Sequence, residues 1–161
     1  KPGRAGDAIE RKADMTEGKT KVLFLCTGNS CRSQMAEGWA RHLKGGAVEA
    51  CSAGIEAHGL NERAVAVMAE AGVDISTQAS QTLDDLGDTA FDYVVTVCGH
   101  AHESCPAFPG GAKVVHVGFD DPPRLAERAR DEAEAMAIYR RVRDEIRAFV
   151  EGLPEGLAGR G

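Results

Sequence analysis

The chain has 161 residues, 43% of them hydrophobic and 27% charged, enough to bury one good core in a single domain. Its 25 acidic against 19 basic side chains leave a net charge of −6, which argues against nucleic acid or an anionic membrane surface as a partner. No apolar run approaches the ~20 residues of a membrane span and no signal-peptide core is present, so a cytoplasmic location is expected.

In that compartment the five cysteines are expected to be catalytic, metal-binding or simply buried. Residues 1–19 are polar and aperiodic and are expected to be a disordered extension. Within them Ala13–Thr20 (ADMTEGKT) nearly matches a nucleotide-binding loop. Alanine replaces its first glycine and a polar tail replaces its preceding strand, so the match is read as coincidence. The folded domain is expected over 20–153, with a flexible Gly-rich tail at 154–161.

The first strand pattern, 21–26 (KVLFLC), runs straight into Cys26-Thr27-Gly28-Asn29-Ser30-Cys31-Arg32-Ser33 and a helical pattern over 32–44. A thiol, five residues and an arginine at a strand-to-helix turn make an oxyanion trap with a nucleophile at its floor. The amides of Thr27, Gly28, Asn29, Ser30 and Cys31 and the helix N-terminus can converge on a tetrahedral anion. Arg32 supplies a planar fork for two of its oxygens. The same field favours the Cys26 thiolate, and the Ser33 hydroxyl can bond it.

Further along, 48–53, 92–98 and 112–117 read as apolar strands, and 61–72 and 124–152 as helices. The last should pack on the sheet through Met136, Tyr139, Val142, Ile146, Phe149 and Val150. Strand–helix alternation predicts an α/β domain of three layers, with a parallel four-stranded sheet flanked by helices. Ligands of such sheets sit beyond the carboxyl ends of the strands. Cys26, Cys98 and Gly118-Phe119-Asp120-Asp121-Pro122 should therefore line one crevice.

Cys98-Gly99-His100-Ala101-His102-Glu103-Ser104-Cys105 admits several readings. On a helix, seven steps of ~1.5 Å would set the Cys98 and Cys105 Cα atoms about 10.5 Å apart. A disulfide tolerates roughly 7 Å. If the two bond, the segment must unwind, which would make it a redox switch. Alternatively Cys98, His100, His102 and Cys105 could hold zinc, although closely spaced histidines make an awkward tetrahedron. The plainest reading is a buried strand-end cysteine and an unrelated loop cysteine. Beside this loop, Asp121 at the crevice rim can supply a proton to a departing oxygen. Asp120 is the better turn former of the pair, though spacing scarcely separates them.

The stretches CTGNSCRSQMAEGW, SAGIEAHGLN, VVTVCGHAHESCP and GFDDP closely resemble the thioredoxin-coupled arsenate reductases, over about 21–149. These share the fold of low-molecular-weight protein tyrosine phosphatases. The resemblance implies a three-thiol relay for arsenic detoxification. Cys26 attacks arsenate while Asp121 protonates the leaving oxygen; Cys98 attacks Cys26 and expels arsenite; Cys105 then attacks Cys98. Thioredoxin, reduced through thioredoxin reductase by NADPH, would regenerate the enzyme. No tightly bound cofactor is expected, and phosphate or sulfate would compete with arsenate. A monomer is expected.

Some such reductases bind potassium beside the site, at positions matched by Asn29, Glu37 and Ser52. Here Gln81 stands in place of an aspartate, which weakens that expectation. Val117, where a tryptophan often stands, and the histidines between Cys98 and Cys105 are further departures. Cys31 and Cys51 are expected to be structural, a side disulfide between Cys31 and Cys26 aside, and His58 and His116 show no partner in the sequence. The alternative function is a phosphatase acting through a cysteinyl-phosphate, although Pro123-Arg124 follow Asp121-Pro122 where such enzymes carry a tyrosine. A third class, a non-enzymatic oxyanion or zinc sensor, finds no basic DNA-recognition helix to support it.

Overall fold

A computed structural model describes residues 18–106, 108 and 111–159. Four parallel strands form one sheet in the order β2-β1-β3-β4: β1 (Thr20–Cys26), β2 (Val48–Gly54), β3 (Tyr93–Thr96) and β4 (Lys113–His116). Side chains alternate between the two faces of a strand. Val22, Leu23, Phe24 and Leu25 are all fully buried, so both faces of the central strand are covered. The α/β architecture expected from the sequence is thus the observed one.

Six α-helices accompany the sheet among the described residues: α1 (Arg32–Lys44), α2 (Glu62–Glu70), α3 (Gly99–Glu103), α4 (Pro122–Ala126), α5 (Glu132–Glu151) and α6 (Glu155–Ala158). Trp39 of α1 is buried and donates its indole N–H to Arg143 O of α5 at 3.2 Å, with the Arg147 guanidinium over its ring. Asn61 caps α2 by accepting from Ala64 N and donates to the Tyr139 hydroxyl of α5.

Two sequence expectations are corrected. The helix expected over 124–152 is two helices, α4 and α5, because Asp131 is extended and its side chain accepts from Glu134 N at 2.9 Å. That cap starts a new helix rather than continuing the old one. The tail from 154 is not loose up to Ala158: α6 buries Leu157 completely. Of the extension at 1–19, residues 1–17, including most of the Ala13–Thr20 near-match, lie outside the described residues. Gly18 and Lys19 lead into β1, so a strand follows that motif where a nucleotide-binding loop would require a helix.

Sheet order decides where a ligand can sit. The chain leaves β1 for β2 on one side and returns to β3 on the other, so the order reverses between β1 and β3. The crevice of such a sheet opens at the carboxyl ends of those two strands. Leu25 pairs with Thr96, which puts Cys26 and Cys98 on opposite banks of that crevice. Among the described residues no helix is long and apolar enough to cross a membrane.

Candidate active site

The turn after β1 is braced from outside. Cys26 O accepts from Ile55 N, Thr27 O from Glu56 N, Gly28 O from His58 N, Ser30 O from Asn61 N and Cys31 O from Met35 N. Asn29 O accepts from the Gln34 side chain at 3.0 Å. With every carbonyl turned outward, the peptide planes present their amides to the other side. None of the amides of Gly28, Asn29, Ser30 and Cys31 is taken by a protein acceptor among the described residues. They are the donors an oxyanion needs.

Asn29 holds the sharpest bend, with φ of +48°, a conformation asparagine tolerates better than most residues. Its buried amide pins it there, donating to Ser33 Oγ (2.9 Å) and Ser52 Oγ (3.0 Å). Its Oδ1 accepts from Gln34 Nε2 and Gln81 N. Close approach leaves no room for a side chain on two neighbours. A Cβ on Gly54 would stand 2.8 Å from both Asn29 N and Thr27 O, and one on Gly28 would overlap the His58 ring.

Cys26 lies at the floor of a cavity of about 290 Å³ bordered by Gly28, Ser30, Arg32, His58 and Asp121. Its thiol is 2.9 Å from Ser33 Oγ. Arg32 is anchored by donating to Phe119 O at 3.0 Å and lies 3.7 Å from the Asp121 carboxylate. The two adjacent aspartates separate cleanly. Asp120 turns outward to Arg141 (3.1 Å), whereas Asp121, at the start of α4, makes no capping bond and faces the cavity. A larger groove of about 560 Å³ on the far side of Asp121 contains no thiol.

Cys98 is buried across the crevice. Its sulfur is 3.3 Å from the Thr27 hydroxyl, next to Cys26 in sequence, and accepts from Ala101 N as the cap of α3. Cys105 is half-buried beyond the other end of that helix, and its burial pushes the thiol up. Five of the six residues between them, Gly99–Glu103, are wound into α3. None of the five cysteines is joined in a disulfide. Burial, reinforced by Cys26, drives the Cys31 thiol far above its ordinary range, which suits a structural residue and not a second nucleophile.

Two candidate metal sets can be judged on their donors. Among the described residues no three His, Cys, Asp or Glu side chains are disposed around a metal position, which leaves the Cys98, His100, His102, Cys105 set without zinc geometry. The potassium positions do not fit a cation as arranged. Glu37 Oε1 accepts from Ser52 Oγ (2.6 Å) and its Oε2 pairs with Arg41 (2.7 Å). Asn29 Oδ1 is taken as above, and Ser52 O accepts from Gln81 Nε2 (2.9 Å). Protein donors, the Gln81 amide among them, satisfy the oxygens a cation would use.

Sequence reasoning missed the bracing group. Gln34 is a fully buried polar side chain one step before Met35 in α1, and a glutamine on the core-facing stripe was its only signal. His58 borders the cavity with its Nε2 2.8 Å from Glu56 Oε1, a pairing two residues apart.

Residues 21–159 match the low molecular weight phosphotyrosine protein phosphatase family. The chain belongs to that family. Within it, relatives include arsenate reductases of Halalkalibacterium halodurans, 53% identical over 128 residues (80% of this chain, 90% of that one), and of Bacillus subtilis, 54% identical over 126 residues (78% and 88%). Among solved structures, an arsenate reductase in the oxidized state superposes with a TM-score of 0.69 at 30% identity, covering 83% of this chain and 95% of the other. An arsenate reductase in the phosphate binding state gives 0.67 at 31% identity, with the same coverage. This member therefore carries the family's fold with thiols at both banks of its crevice.

Proposed function

We propose that this protein reduces arsenate to arsenite through Cys26, Cys98 and Cys105 in turn, with thioredoxin as the reductant. The observation that carries the reading is Cys98 beside the Cys26 loop, a second thiol that phosphoryl transfer does not need. Relatives named arsenate reductase at more than 50% identity support it.

The chemistry follows from the donors present. Arsenate enters the amide cradle and is held by Arg32. The Cys26 thiolate forms an S–As bond as an oxygen departs, protonated by Asp121. Cys98 then attacks the Cys26 sulfur. An S–S bond forms, the S–As bond breaks, and its electron pair passes to arsenic, which leaves as arsenite. Two thiol electrons have reduced As(V) to As(III). Cys105 next attacks the Cys98 sulfur and frees the Cys26 thiolate, and thioredoxin reduces the Cys98–Cys105 disulfide. All the groups used come from one chain, in keeping with a monomer, and the reductant system is that of the cytoplasm.

The test is NADPH oxidation coupled through thioredoxin reductase and thioredoxin. Arsenate should drive it, phosphate should not, and Cys98→Ser should abolish it. Cys105→Ser should release at most one arsenite per chain. Sustained turnover by Cys105→Ser would rule the relay out. Loss of arsenate reduction with aryl phosphate still cleaved would leave a phosphatase, which the amide cradle, Arg32 and Asp121 could also serve.

A further inference from the structure

Thr96 ends β3 and is fully buried, yet its hydroxyl serves no part of the oxyanion site. Its Oγ1 lies 3.2 Å from His102 Nδ1 and 2.9 Å from His116 Nδ1, and the two rings face each other at 4.7 Å. His102 belongs to α3 and His116 ends β4, so one hydroxyl ties three elements together. A hydroxyl has one proton to give and lone pairs to accept with. Both contacts are satisfied together when one ring presents Nδ1–H and the other its Nδ1 lone pair.

We propose that Thr96, His102 and His116 are positioning residues that hold α3 wound and so set the equilibrium of the Cys98–Cys105 disulfide. The inference rests on the relay proposed above. A five-residue helix is not stable by itself, so tertiary contacts must keep α3 formed. Buried Ala101 supplies one and the His102–Thr96 bond another. Closing Cys98 onto Cys105 unwinds this helix and must pull His102 away from Thr96. The His116–Thr96 bond can survive, because both of its residues lie in the sheet. In the closing step the Cys105 thiolate attacks the Cys98 sulfur of the Cys26–Cys98 disulfide. The new S–S bond forms, the old one breaks, and Cys26 departs as thiolate with no net change in oxidation state. Holding α3 wound therefore favours the reduced pair, and one hydrogen bond of ordinary net strength shifts such an equilibrium about fivefold.

The experiment is a redox titration of the full chain carrying Cys26→Ser, equilibrated with reduced and oxidised dithiothreitol. The Cys98 and Cys105 thiols pass two electrons and two protons to the oxidised reagent, whose ring disulfide opens to a dithiol. The Cys98–Cys105 bond is counted by alkylation and peptide mass spectrometry. Thr96→Val, which keeps shape and removes the hydroxyl, should favour the disulfide about fivefold, a potential about 20 mV more negative. Thr96→Ser should restore the parent value. His102→Ala should shift the same way, although alanine's greater helix propensity alone would push the other way. His116→Ala should give a smaller shift of the same sign. A Thr96→Val potential within about 5 mV of the parent, or displaced the other way, overturns the clasp. A parent chain that never forms the Cys98–Cys105 bond overturns the relay and the clasp with it.

Discussion

Glu37 sits at the end of a chain of hydrogen bonds that reaches the nucleophile: Glu37 to Ser52, Ser52 to Asn29, Asn29 to Ser33, Ser33 to Cys26. Its carboxyl is buried, and that desolvation raises it above the ordinary value of 4.5 despite the Ser52 bond and the Arg41 pair. The native chain therefore holds this proton to a higher pH than the unfolded chain does. Stability from Glu37 is complete below about pH 4.5 and declines as pH rises through the raised native value. Glu37→Gln keeps an acceptor for Ser52 and has no proton to lose. Urea midpoints should match the parent near pH 4 and exceed it at pH 7. A variant that loses ground as pH rises would show instead that the ionised carboxylate is the favoured form. The sequence made Cys26, Arg32, Ser33 and Asp121 legible, since local spacing alone brings the first three together. It could not show that residues 55–61 brace the loop carbonyls. Those bonds come from backbone amides, which almost any residue would supply, and from the Gln34 side chain, whose partner depends on the fold.

At the scale of elements, the strands and α1 were read within a residue or two because apolar runs and the Cys-to-Arg turn mark them sharply. The break between α4 and α5 was missed for a physical reason. Residues 124–152 keep a helical period throughout, and periodicity reports which face is buried without reporting whether the backbone is continuous. The overlooked signal was Asp131 three residues before Glu134, a helix-start pattern inside a helical stretch. The break is functional in consequence. It lets α4 turn Asp121 into the crevice while α5 packs against Trp39 and receives Asn61 on Tyr139. Asp131→Ala should cost about 1 kcal/mol, the usual worth of a side-chain cap. In a chain of this size that is about 2–4 °C in melting temperature. Circular dichroism would detect it, and an unchanged melting curve would mean that packing, not the cap, fixes where α5 begins.

The molecule as a whole sets its local site against its own charge. A net charge of −6 repels arsenate at long range, while Arg32 and the loop amides attract it within hydrogen-bond reach. Salt acts differently on the two. At about 10 mM ionic strength the Debye length is ~30 Å and acidic side chains across the surface are felt at the crevice; at about 150 mM it is ~8 Å. Contacts inside the cradle are shorter than either length and partly desolvated, so screening barely weakens them. Added salt should therefore help an anionic substrate here, the reverse of its effect on a site that relies on a basic surface. Arsenite release in a single turnover, without thioredoxin, isolates this effect from partner docking. Its half-saturating arsenate concentration should fall modestly when sodium chloride raises the ionic strength across that range. A rise would mean that long-range attraction draws the substrate in, and that charges around the crevice outweigh the acidic balance of the chain.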